Sequence, residues 1–224
     1  MKKRILTVAL VIALLATCFA GTYAYLQDSE AQKNTFTVGT VYITLDEAEV
    51  KKDDATGNLV ADGTKRTPNE QNYFLFPGMT VTKDPTIHIQ ANSETAYVAA
   101  KITITGELGE LTIGENALVG TDGKLNVNAL LSGGLLAGTG CTIEQVDGAD
   151  TWTLYIYVTE AYAKSTTATD IVVFNTLTVP AEWDNDEMKL IDTMEIAVEA
   201  YAVQANGFAT CEAAMKAAFP AAFN

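Results

Sequence analysis

Apolar and polar residues alternate along much of this chain with a period of two. In residues 35–45, Val41, Ile43 and Leu45 fall on one side and Tyr42 and Thr44 on the other. Successive side chains of an extended chain point to opposite faces, so this pattern predicts a half-buried strand. It returns at residues 86–90, at 97–105 with Ile102 and Ile104 together, and at 194–203, where Ile196 and Val198 oppose Glu195 and Glu199. It is clearest at residues 151–159: Trp152, Leu154, Ile156 and Val158 share one face, and Thr151, Thr153, Tyr155 and Tyr157 share the other. Residues 73–76, stopped by Pro77-Gly78, and residues 171–179, ended by Pro180, are further β-rich runs.

The two ends depart from this pattern. Phe208, Cys211, Met215 and Phe219 recur three or four apart with Ala-rich filler, which predicts a short amphipathic helix. Asn206 or Thr210 caps its start, and Pro220 closes it. At the other end Lys2, Lys3 and Arg4 precede an uncharged run over residues 5–20, then Gly21, Thr22 and Ala24. A basic head, a short apolar run and small residues at −3 and −1 describe a secretory signal peptide. The apolar run falls short of the ~20 residues of a bilayer-spanning helix. Cleavage is placed between Ala24 and Tyr25, so residues 1–24 are the signal and the only contact with a membrane. An uncleaved N-terminal anchor is the alternative.

Residues 25–224 then form a single domain. Two stretches lack strand periodicity: the charged, turn-rich residues 46–72, read as an exposed hairpin or loop insertion, and the Gly-rich residues 106–150. Short strands separated by turn signals, without βαβ alternation, predict an all-β fold. The expected form is a jelly-roll-like antiparallel β-sandwich with a short C-terminal helix and loop insertions.

Charge and chemistry narrow the function. The 224 residues hold 28 Asp+Glu against 14 Lys+Arg. Loss of residues 1–24 removes three bases and no acids, leaving 11 bases against 28 acids, a charge of −17. Recognition of a phosphate backbone needs clustered Lys and Arg, so no nucleic-acid partner is expected. The single His, His88, rules out a multi-His zinc centre, and there is no H-E-x-x-H, phosphate loop or G-x-S-x-G elbow. No enzyme activity or cofactor is expected. His88 stands between Ile87 and Ile89 and reads as a polar strand residue facing away from the core, with a general base as the alternative. Asp184, Asp186 and Glu187 are calcium candidates, against a plain solvated loop. Cys141 and Cys211 permit one disulfide or two buried thiols, because Cys18 leaves with the signal. Leu15-Ala16-Thr17-Cys18 resembles a lipobox, although Thr17 stands where a smaller residue belongs. Tyr155 and Tyr157 read as an outer-face pair, for a sugar or protein ligand or for cross-strand packing.

Several segments together resemble the TasA/camelysin family of exported proteins of Gram-positive bacteria. They are Gly21-Thr22-Tyr23-Ala24 with Asn34-Thr35-Phe36-Thr37-Val38-Gly39; Phe76-Pro77-Gly78-Met79-Thr80-Val81 with Lys83-Asp84; Asn92-Ser93 with Tyr97-Val98; and the tail from Phe174 through Val179-Pro180 to Gly207-Phe208. Residues 46–72 and 106–150 lie outside the resemblance. It implies cleavage after Ala24 by a SipW-type signal peptidase, a jelly-roll sandwich, and a place in the extracellular matrix or on the cell surface. For TasA-like members it implies self-association into biofilm fibres, in which the N-terminal segment of one subunit completes a sheet of the next. The donor would carry Tyr25, Leu26, Phe36, Val38 and Val41. A surface ligand-binding (adhesion) module is the alternative. The metallopeptidase activity attached to camelysin-like members does not carry over, because its metal-binding His residues have no counterparts here.

Overall fold

The protein is described by a computed structural model over residues 40–223. Chain order begins with β1 (Ile43–Lys52), β2 (Leu59–Thr67), β3 (Thr80–Thr82), β4 (Thr86–Ile89) and β5 (Ala96–Thr105). The small strands β6 (Thr112–Ile113), β7 (Asn116–Ala117) and β8 (Leu131–Ser132) follow. Then come β9 (Cys141–Asp147), β10 (Thr151–Val158), β11 (Thr169–Val172), β12 (Thr176–Thr178), α1 (Asn185–Leu190), β13 (Glu195–Gln204) and α2 (Cys211–Ala218).

Two sheets carry the fold: β11-β4-β1-β2-β3-β12-β8 and β13-β5-β10-β9, with β6-β7 as a separate ribbon. Apart from one parallel bridge, Leu59 to Val81, every ladder is antiparallel. The chain crosses between the sheets at β4–β5, between β5 and β8 by way of the β6-β7 ribbon, and at β8–β9, β10–β11 and β12–β13. This is the all-β sandwich with a short C-terminal helix that the alternation predicts.

The ladders run without a slip where burial is deepest. Ile104 sits between Ile196 and Trp152, and Ile102 between Val198 and Leu154. A one-residue slip would turn these side chains to the other face, so burial and register specify each other. Val98, Ala100, Ile102 and Ile104 of β5 and Trp152, Leu154, Ile156 and Val158 of β10 form one wall of the core. Ile87, Val81, Ile171 and Leu177 of the larger sheet form the opposite wall. Each large apolar side chain fully buried there contributes about 1.5–3 kcal/mol.

Four segments behave differently from their sequence reading. Residues 46–72 are no appendage: β1 and β2 occupy interior positions of the seven-stranded sheet, joined by the turn at residues 53–58. The turn signal Asp62-Gly63 is a bulge inside β2, where the register jumps from Ala48↔Arg66 to Val50↔Ala61 and Gly63 takes φ 65°. Residues 106–150 supply much of the core, with Leu108 and Leu136 in 3-10 turns, Leu131 in β8 and Leu111, Leu118 and Leu125 in irregular segments, and their last part forms β9. Residues 73–76 form no strand and join no ladder, with Tyr73 and Leu75 half-buried and Phe74 exposed. Residues 171–179 split into β11 and β12, which take separate positions in the sheet.

The outer face of the smaller sheet is also covered. Met215 and Cys211 of α2, with Phe223, pack on Ala99 and Tyr157 in a second apolar cluster, so Tyr155 and Tyr157 are not an exposed pair. Phe223 lies 5.4 Å from the Tyr155 ring, 5.7 Å from Tyr157 and 4.8 Å from Tyr201. Thr210 caps α2 by accepting from Ala213 N at 3.2 Å. The second helix, α1, has its own sequence signal in Asp184-x-x-Glu187, a capping box.

If α2 is part of the core rather than an appendage, Met215→Ala destabilises the protein by about 2–5 kcal/mol, as Ile102→Ala does in the main core. Denaturant titration of both variants checks this. A Met215→Ala effect below about 0.5 kcal/mol would show that the helix is only loosely attached.

Candidate functional site

A groove of about 1110 Å³ lies wholly within residues 45–198. One wall is formed by the consecutive residues Met194 to Val198, and the other by the run Thr67 to Leu75 with Leu45, Asp46 and Glu47. Side chains alternate faces along a strand, so consecutive residues share a groove only where it follows a strand's edge. The β13 wall meets that condition, and the facing run is largely irregular backbone. Among the described residues β13 pairs with β5 alone, and residues 72–75 lie in no ladder. Ile196 and Val198 remain half-buried there, and Phe74 is 97% exposed beside them. Met188 and Ile191, on and just after α1, also line the groove.

A charged network crosses the groove wall. Glu47 is 9% exposed, and Lys83 Nζ donates to its Oε2 at 2.6 Å. Gln71 Nε2 and Tyr73 Oη donate to Oε1 at 3.1 and 3.3 Å, and Gln71 Nε2 also reaches Ala48 O at 2.8 Å. The Lys83 ammonium stands 5.5 Å from the centre of the Tyr73 ring. Burial, reinforced by the Glu47 carboxylate, pushes the Tyr73 phenol well above its ordinary pKa. These bonds tie the unladdered run 69–76 to β1 through side chains.

A second network lies on the β1, β4 and β11 surface, on the sheet face opposite Ile87. Arg66 Nη1 donates to Asp84 Oδ2 at 2.9 Å and Nη2 to Thr86 Oγ1 at 2.8 Å, while its Nε bonds Asp46. Asp84 Oδ1 accepts from Ala48 N at 2.7 Å. His88 faces away from the core, but its side chain is only 17% exposed. Its Nδ1 lies 2.6 Å from Asp170 Oδ1, and its Nε2 lies 2.9 Å from Asp46 Oδ1. Partial burial opposes the charge on Asp46, but the hydrogen bonds from His88 and Arg66 outweigh it and hold this carboxyl below its ordinary pKa.

Both ring nitrogens of His88 meet carboxylate oxygens, so in this arrangement neither is presented to a substrate or a metal ion. A cation on Asp46 would face the Arg66 guanidinium. The donor set does not fit a zinc centre, and no group of three or more metal-ligating side chains occurs among the described residues.

The other sequence candidates fall as follows. Asp184, Asp186 and Glu187 cap α1: Asp184 accepts from Asp186 N at 2.7 Å, and Glu187 accepts from Asp184 N at 2.9 Å. Asp186 pairs with Lys189 at 2.6 Å. Hydrogen bonds from the Asp186 amide and around Glu187 hold the Asp184 carboxyl below its ordinary pKa. The acidic cluster is therefore a helix start rather than a calcium loop. Cys141 and Cys211 are both free. Cys141 packs against the core between the sheets, and Cys211 against the cluster under α2, so the smaller sheet separates them. Their thiols donate to Leu135 O at 3.1 Å and to Val98 O at 3.2 Å, and burial pushes the Cys211 thiol up to about 12. Val41 stands between Thr40 and Tyr42, whose carbonyls accept from Glu94 and Gln90, so that end of the expected donor is anchored in its own subunit. Ala24, Tyr25, Leu26, Phe36 and Val38 lie outside the described residues.

Fold and groove together describe an all-β sandwich in which one edge of β13 has no ladder partner among the described residues. Its first 56 residues match the model of the camelysin metallo-endopeptidase family, a quarter of the 224-residue chain, and the TasA/camelysin likeness holds over that stretch. No curated protein and no solved structure matches the chain. The matched residues contain no His, and His88 lies beyond them. Among the described residues no helix is long and apolar enough to cross a membrane.

Two outcomes follow. The protein from Tyr25 carries two maleimide-reactive thiols when denatured, with buried Cys211 reacting more slowly than half-buried Cys141 in the folded state, and an intact mass 2 Da lower, the loss of two hydrogens on bridging, would contradict this. Asp184→Ala lowers the melting temperature by the same amount with calcium and with chelator; a loss confined to the calcium sample would restore the calcium reading.

Proposed function

We propose that this chain is an exported structural protein of the cell surface or extracellular matrix that self-associates by strand complementation. One observation carries the reading: among the described residues β13 pairs only with β5, and its other edge, at Met194 to Val198, borders a groove of mixed polar and apolar lining whose facing run, residues 67–75, is largely outside any ladder. Unpaired edge amides and carbonyls are the features that a neighbouring chain satisfies in β-augmentation. The occupant we assign is the N-terminal segment of a second copy, residues 25–38. At about 3.3 Å per residue it spans about 46 Å, more than the roughly 33 Å of the ten-residue β13. It contains no Pro, and Phe36 and Val38 alternate as an inserted strand requires. The N-terminal family match supports export of this kind and says nothing of assembly. The camelysin name also carries a metallo-endopeptidase activity, but neither His88 nor the matched segment offers a ligand set for it.

Subunits of charge −17 repel, so association relies on backbone pairing and apolar burial and strengthens with salt, as screening shortens the repulsion to about 8 Å at physiological ionic strength. Electron microscopy and sedimentation of the chain from Tyr25 should show fibres that increase with salt. The chain from Thr40 should remain monomeric, and an added peptide of residues 25–41 should slow amide exchange across β13. Fibres that persist without residues 25–38, or no oligomer under any ionic strength, would refute donor-strand assembly.

A further inference from the structure

His88 is placed opposite Asp170 of β11 in the ladder, and opposite Thr44 of β1 on its other side. Strand β11 is the edge of the seven-stranded sheet among the described residues and is joined to it through four pairs with β4. Both ring nitrogens of His88 meet carboxylate oxygens, one on each neighbouring strand. A neutral imidazole has one N–H and one lone pair, so it can satisfy only one of these contacts; the imidazolium satisfies both. We infer that His88 is a proton-operated latch that adds a side-chain tie from edge strand β11 across β4 to β1 when protonated and gives up the contact to β11 when neutral, loosening that edge while the backbone ladder remains.

The surrounding charges decide which contact yields. From β1 comes Asp46; from β2, Arg66, bonded to Asp46; from the turn before β4, Asp84, bonded to Arg66; and from β11, Asp170. Thr44, Thr86 and Gln90 complete the surroundings without charge. Asp46 is fixed by Arg66 and is only 24% exposed, so it keeps the remaining N–H of the neutral ring. Asp170 is 64% exposed on the edge strand and is free to turn into water. Release therefore falls on β11.

The sign of the pH dependence follows. Partial burial works against the imidazolium, but the bonds to Asp46 and Asp170 outweigh it and raise the His88 pKa above 6.5. The latch's contribution to stability is complete below pH 6.5 and is lost as pH rises through the folded value. Asp46 has the opposite sign: its contribution is complete above 3.8 and is lost as pH falls through its lowered value. The latch is therefore closed in mild acid.

His88 is the only His of the chain, so imidazole NMR reports it alone. The expected midpoint lies above 6.5, the ordinary value. It falls in Asp170→Asn, and stays in Glu110→Gln, which removes an equal charge far from the latch. Amide exchange of β11 relative to β5, a ratio that cancels the intrinsic pH dependence, rises as pH passes the midpoint in the wild type, and His88→Gln abolishes that step. A midpoint at or below 6.5, equal shifts in the two carboxylate variants, or a β11 to β5 ratio that ignores pH would each overturn the latch.

Discussion

Strand β5 carries burial on both of its faces, and most of the molecule follows from that constraint. One face turns Val98, Ala100, Ile102 and Ile104 into the core between the sheets, and Ala99 lies under α2 on the other. A strand buried on both sides leaves no slack in register, because either slip would bring polar positions such as Lys101 and Thr103 into an apolar layer. Neighbours β10 and β13 are therefore held in continuous ladders from Thr105 toward Ala99 and Ala96. The same two-sided burial places Cys141 and Cys211 on opposite faces and turns the tyrosines of β10 into packing residues.

Strand β1 has a comparable role in the larger sheet, but through charge. Its residues 45–47 form part of a groove wall while Asp46 and Glu47 anchor separate networks. Glu47 fastens the run 69–76, which has no ladder of its own, and Asp46 joins Arg66 of β2 to His88 of β4. Half-buried ion pairs of this kind hold neighbouring segments in one arrangement more than they add stability, since desolvation offsets much of the attraction. Groove shape and the outer face of the β11 edge thus depend in part on polar contacts between segments, beside the apolar contacts that Ile171 and Leu45 make with the core.

Period-two alternation was enough to read β5, β10 and β13, because each pattern is a local consequence of one buried face. Three- and four-residue spacing with Thr210 and Pro220 was enough for α2. Helix α1 is not read from the sequence: Asp184-x-x-Glu187 has capping-box spacing, but the same carboxylates resemble a cation loop when the helix is not seen. Residues 106–150 were illegible because their leucines enter the core from 3-10 turns and irregular loops, which impose no repeat. His88 was correctly placed on the outer face, yet its partners are 42 and 82 residues away, and no local pattern announces a contact of that separation.

The amino-acid sequence alone determined an acidic all-β chain with a signal-like N-terminus, one His and a helical end, because composition and periodicity are local properties. Tertiary structure decided which strand edges stay open, which tyrosines and cysteines are covered, and which carboxylates meet His88. Those outcomes depend on the order of strands in the two sheets, and strand order is set by long-range burial.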